Sequence, residues 1–191
     1  MRVIAIIPAR GGSKRLPLKN IYPWHGKPLL AYSLAACAGS KYIETTFVSS
    51  DDVQILNVAK HYGGRPLLRP QELADDLTPK IVAIRQAAQD PDVGGMDAND
   101  LVVVVQANSP EMRAEDLDRG IELLLQHNLW EVMSADSNGV ANAAFRIVRY
   151  HALFNEFLSA HCGFVIAKIH DVHTLADLHS IDQRRTSGSG L

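Results

Sequence analysis

The chain has 191 residues and a mass of 20.9 kDa, with 47% hydrophobic and 21% charged residues. That composition fits one globular domain with its own core and excludes wholesale disorder. A net charge of −2 excludes a protein built as a whole to bind nucleic acid, and no apolar stretch approaches the ~20 residues of a membrane helix.

Residues 1–10 read as a buried strand entering a loop rather than a secretory leader. Two cysteines without metal-type spacing, Cys37 and Cys162, predict a reduced, cytoplasmic setting.

Strand and helix signals alternate along the chain. Residues 3–7 (VIAII) are a β-branched apolar run, the pattern of a strand covered on both faces. Residues 28–38 predict a helix stopped at Gly39, and 45–48 a second strand. Ser49-Ser50-Asp51 supplies capping chemistry for a helix through Val53, Leu56, Ala59 and Tyr62, ended by Gly63-Gly64. Residues 81–88 predict a helix and 101–105 a central strand. An amphipathic helix is predicted over 114–127, with Leu117, Ile121, Leu124 and Leu125 on one stripe. Short strands are expected at 132–135, 145–148 and 164–167, and helices at 150–158 and 174–181.

This alternation predicts an α/β fold, a mostly parallel twisted sheet with helices on both faces, whose ligands lie at the carboxyl ends of the strands. One domain is expected over residues 1–183, with 184–191 as a mobile tail.

Charge is unevenly spread. Arg2, Arg10, Lys14, Arg15, Lys19, Lys27 and Lys41 precede the first acid, Glu44. Within that stretch, residues 6–20 (IIPARGGSKRLPLKN) are a strand opening into a glycine-containing loop with four cations. Paired glycines let backbone N–H groups approach an anion, and Arg10, Lys14, Arg15 and Lys19 can neutralise a polyphosphate. A βα turn with solvated charges is the alternative. Neither G-x4-G-K-[ST] nor G-x-G-x-x-G is present. His161, His170, His173, His179 and Cys162 fit no standard zinc spacing.

The stretch at 6–20 resembles the opening of the acylneuraminate cytidylyltransferase family, the synthetases of CMP-linked nonulosonic acids. Five further segments resemble family motifs in the same order: 26–29 (GKPL), 48–52 (VSSDD), 68–74 (LRPQELA), 105–110 (VQANSP) and 171–178 (DVHTLADL).

The resemblance implies a Rossmann-like nucleotidyltransferase that passes CMP from CTP to the anomeric hydroxyl of a sugar acid, releasing pyrophosphate, with a divalent metal, magnesium or manganese. It places Ala9, Arg10, Gly11, Gly12, Ser13 and Lys14 at the nucleotide and Lys19 against the triphosphate in the transition state. It places Asn20 and Arg69 at the cytosine base, Gln106 at the acceptor sugar and Asp171 at the metal. Arg10, Lys19 and Asp171 are thus the expected catalytic groups.

Three departures accompany it. His173 stands where the family's metal motif has a second carboxylate. Pro79 and Lys80 replace the polar residues that follow its Arg-Pro motif. The chain passes almost directly from Met133-Ser134-Ala135 to Asn142-Ala143-Ala144-Phe145, where the family inserts a long dimerisation arm.

Asp171 and His173, two apart, face the same way in an extended segment and form an expected metal pair, with His173 protonating near roughly pH 6.5; the alternative is that His173 points to solvent and Asp171 alone, with the triphosphate, holds the metal. The expected assembly is a monomer, or a dimer unlike the family's, binding CTP and a small sugar acid, with neither nucleic acid nor membrane as partner. A nucleotide-binding or regulatory protein on the same scaffold, or a transferase for another acceptor, is the alternative.

Overall fold

The apolar run that opens the chain becomes β1 (Val3–Pro8), with Ile4, Ala5, Ile6 and Ile7 fully buried. The computed structural model describes residues 1–157 and 159–187. After β1 come β2 (Pro23–Trp24), β3 (Lys27–Pro28), α1 (Leu29–Gly39), β4 (Thr45–Ser50), α2 (Val53–His61), β5 (Arg65–Leu68) and α3 (Lys80–Ala88). Then follow β6 (Leu101–Val105), α4 (Ala114–Gln126), β7 (Glu131–Ala135), β8 (Ala141–Arg149), β9 (Cys162–Ile166) and α5 (Leu175–Ser187).

Seven strands form one sheet in the order β5-β4-β1-β6-β8-β7-β9, while β2 and β3 pair separately as a small hairpin. Only β8 runs against the rest, pairing antiparallel with both β6 and β7. This is the mostly parallel sheet that the alternation predicts, in the Rossmann-like arrangement that the resemblance implies.

Both faces are covered, which is why β1 and β6 are continuous apolar runs. On one face Leu30, Leu34 and Cys37 of α1, Ile55 and Ala59 of α2, and Leu117, Ile121 and Leu124 of α4 pack on Val3, Ala5, Ile7 and Val103. On the other, Ile84, Ala87 and Ala88 of α3 pack on Ile4, Ile6, Phe47 and Val104. Each fully buried Leu, Ile or Phe contributes roughly 1.5–3 kcal/mol of apolar transfer.

A third cluster joins α5 to the hairpin through Leu16, Trp24, Leu29, Val172, Leu178 and Ile181. Val172, in this cluster, lies between Asp171 and His173.

Several boundaries differ from expectation. β4 continues through Ser50, and Asp52 caps α2 by accepting the Gln54 N–H at 2.7 Å. β5 has no simple sequence signal because it carries Pro66. As an edge strand it needs to pair on one side only, which tolerates the missing N–H.

The helix expected over 150–158 is instead a short 3-10 turn, Tyr150–Phe154, closed by the Asn155 N–H on the Ala152 carbonyl. The Arg85 guanidinium donates to the carbonyls of Leu153 and Asn155, and Leu158 lies outside the described residues. Helix α5 runs to Ser187, past the domain limit expected at residue 183, so Arg184 and the residues up to 187 are helical; the rest of the expected tail lies outside the described residues.

Between β7 and β8 the chain turns within residues 136–140. The Asp136 carboxylate accepts the N–H groups of Asn138 and Val140, and Gly139 adopts φ 79°. That self-capped turn stands where the family's arm would begin.

Candidate active site

Strand order locates the site. From β1 the chain moves outward to β4 and β5, then returns to place β6 on the other side of β1. Strand order reverses between β1 and β6, and the carboxyl ends of those strands mark the switch point of the α/β sheet. A cleft of about 750 Å³ lies there.

Its walls bring together Arg10, Ser13, Lys14, Lys19, Asn20, Arg69, Gln106, Asp171 and His173 from four separate segments. Arg15 and Lys80 line it as well. Ala9, Gly11 and Gly12 do not. The Ala9 N–H donates to the Ser49 carbonyl and the Gly11 N–H to Asp51 Oδ1 at 3.0 Å, so the expected backbone nest has lost two of its donors to β4 and its exit.

Glycine at 11 has a different reason. A Cβ there would stand 2.7 Å from Asp52 Oδ2, whereas one at Gly12 would meet nothing within 4 Å.

With the Ala9 and Gly11 amides taken, the side chains of the loop line the cleft. Asn20 is buried, and its Nδ2 donates to the Arg10 carbonyl at 2.9 Å, fixing where Arg10 leaves the backbone. Leu18 sits in the left-handed region at φ 52°, ψ 29°, a conformation that costs a branched residue about 1–2 kcal/mol and turns the chain into the short helix carrying Lys19 and Asn20.

Burial lowers the Lys19 pKa. Asp171 opposes that shift, and Arg15, Lys80 and Arg10 add to it by repulsion. Arg69 is buried, with Nε and Nη2 donating to the hydroxyl and carbonyl of Ser49. Desolvation lowers its pKa and Asp51 opposes.

Arg10 Nη2 meets Asp76 Oδ1 at 2.7 Å, its Nη1 donates to the Asp75 carbonyl at 3.0 Å, and Lys14 pairs with the other Asp76 oxygen. Those contacts hold the Asp76 carboxyl below the usual carboxylate range. A carboxylate of the protein itself thus occupies the two leading cations of the loop.

Asp171 and His173 are held by contacts that the sequence argument left unassigned. Asn108 exchanges two hydrogen bonds with Val172, Nδ2 to carbonyl at 2.7 Å and Val172 N–H to Asn108 carbonyl at 2.8 Å. The Ser109 hydroxyl donates to Asp171 Oδ1 at 2.5 Å. Both residues lie in the segment VQANSP, from which only Gln106 had been singled out. The alternation of an extended segment is kept: Val172 is fully buried and His170 turns to Glu111, while Asp171 and His173 line the cleft.

The His173 N–H donates to Asp177, which also caps the start of α5 through Thr174. Desolvation, then the nearby Lys19, lower the His173 pKa, so its imidazole is neutral to lower pH than the expected 6.5.

Among the described residues no group of three or more His, Cys, Asp and Glu gathers. Magnesium commonly takes one or two carboxylates and completes its shell with substrate phosphates and water. Asp171, a carboxylate on the wall of a cation-lined cleft, fits that donor set. His173 adds a neutral nitrogen better suited to manganese.

A switch-point cleft lined by this many cations is a candidate anion site in an α/β fold. The family model described as cytidylyltransferase matches residues 4–156, and the chain belongs to that family.

Among relatives, it is 43% identical over 90 residues to the pseudaminic acid cytidylyltransferase of Campylobacter jejuni, a match covering 47% of this chain and 39% of that protein. It is 39% identical over 127 residues to the CMP-N,N'-diacetyllegionaminic acid synthase of Legionella pneumophila, covering 64% and 53%. These matches span about half of those relatives or less. In fold it matches a CMP:2-keto-3-deoxy-manno-octonic acid synthetase complexed with CTP, with a TM-score of 0.77 at 15% identity over 100% of both chains.

Proposed function

We propose that the chain transfers CMP from CTP to the anomeric hydroxyl of a sugar acid of the nonulosonate type. The observation that carries this reading is the gathering of Arg10, Lys14, Arg15, Lys19, Arg69 and Lys80, together with Asp171, on the walls of one cleft at the switch point. Relatives named for pseudaminic and legionaminic acids support the acceptor class.

In the reaction the anomeric oxygen forms a bond to the α-phosphorus, the bond from that phosphorus to the bridging oxygen breaks, and pyrophosphate leaves with the electron pair. The hydroxyl proton passes to solvent. Such a displacement asks for alignment and charge neutralisation, with no covalent enzyme intermediate.

Lys19 neutralises charge on the triphosphate. Arg10 and Lys14 exchange Asp76 for phosphate oxygens. Buried Arg69 and the pinned Asn20 face the base, and Gln106, at the end of β6, orients the sugar. Asp171, oriented by Ser109, would hold a divalent metal with His173 beside it, and that ion would supply further positive charge at the phosphates. The tight turn at 136–140 supports a monomer, or a dimer through another surface, which light scattering measures.

The test is pyrophosphate release from CTP against a panel of sugar acids with magnesium or manganese, with nucleotide binding followed by calorimetry. Release with one acid and its loss on chelation by EDTA are expected. Tight CTP binding with no release on any acid would instead support a nucleotide-binding protein without transferase activity, a reading that His173 in place of a carboxylate favours.

A further inference from the structure

We propose that Lys80 selects an acidic acceptor, its ammonium pairing with the carboxylate of the sugar acid where that acid meets Asp171. The proposal rests on the transferase reading above and assigns a residue within it. Lys80 is the first residue of α3, and Ala83, one turn further on, lines the same cleft. The start of α3 thus forms one wall at the end of β1.

The placement is costly for the helix. The first turn of α3 contains no acid, and its N-cap, Pro79, makes no side-chain hydrogen bond. A cation there opposes the helix dipole, where Asp or Glu would be favoured. A local rule broken at the rim of a cleft points to a role in that cleft.

The surrounding charges define the role. Among the described residues Lys80 forms no ion pair, whereas Arg10 and Lys14 already share Asp76. Lys80's charged neighbours are Asp171, which draws its pKa up against desolvation, and Lys19, which it repels. It lines the same cleft as Asp171 and is not among the cations paired with Asp76.

In a 2-keto sugar acid the carboxylate and the attacking hydroxyl share one carbon. When that hydroxyl reaches the α-phosphorus, the carboxylate lies beside the reacting centre. An ammonium in the same cleft as Asp171 meets it there, while Lys19 remains with the triphosphate. Partial desolvation strengthens such a pair relative to one in open water.

Lys80→Gln and Lys80→Arg test the assignment, with N-acetylneuraminate and its methyl ester as probes alongside any acid that the wild type turns over. For Lys80→Gln the acceptor KM is expected to rise at least tenfold, the CTP KM to stay within twofold, and the melting temperature to hold or rise. Lys80→Arg should recover most of the acceptor KM. Calorimetry should show that the substitution weakens binding of the acid but not of the ester.

Equal weakening of acid and ester, or a rise in the CTP KM with an unchanged acceptor KM, overturns the proposal and leaves the transferase reading standing. A wild type that releases no pyrophosphate with any acid of the panel removes that reading and the proposal with it.

Discussion

Replacing Lys19 by Ala probes the anion surface most directly. In the free protein this ammonium is desolvated and repelled by Arg15, Lys80 and Arg10, with Asp171 its one opposing charge. Its removal therefore relieves repulsion, and the melting temperature should stay level or rise. With CTP bound the balance reverses, because several phosphate oxygens replace one carboxylate. A charge-assisted contact contributes about 1.5–3 kcal/mol. At 1.36 kcal/mol per decade that corresponds to a roughly 10- to 150-fold loss of CTP affinity or turnover. Calorimetric titration with CTP at fixed ionic strength, beside a thermal melt of the same sample, reads both sides of the argument. CTP affinity and turnover within twofold of wild type would refute the placement of Lys19 at the triphosphate, and a large drop in melting temperature would show a structural role instead.

Three other outcomes follow from the same contacts. Asp76→Asn should tighten CTP binding, because Arg10 and Lys14 lose an internal competitor; weaker binding in the titration would mean that Asp76 assists the nucleotide. Leu117→Ala should cost about 2–5 kcal/mol in chemical denaturation, since this fully buried side chain of α4 leaves a cavity against the sheet. Burial pushes the Cys37 thiol up to about 12, so at pH 8 it carries almost no thiolate. Mass spectrometry after iodoacetamide should find Cys162 modified in the native protein and Cys37 only after unfolding, and native labelling of Cys37 would contradict its burial.

Much of this protein was legible in its residues. The runs at 3–7 and 101–105 are apolar without alternation because β1 and β6 are covered on both faces, and local composition suffices to show that. The stripe of α4 was legible at Leu117, Ile121 and Leu124 but not at Leu125, which is exposed, and the cation-rich loop at 6–20 and the motif at 171–178 both reach the cleft.

Other features follow from contacts between distant segments, which no local window contains. Pro66 hides β5, whose pairing depends on β4 offering an edge. The Gly11 amide is taken by Asp51, which removes one donor from the backbone nest that the paired glycines suggested. Asp76 reaches Arg10 and Lys14 across a long interval of sequence, and Asn108 and Ser109 orient the Asp171 segment over an equally remote one. Residue types and local patterns name the candidate groups and the elements that carry them. Which charge faces which follows from distances between segments that are remote in the chain and that the strand order brings together.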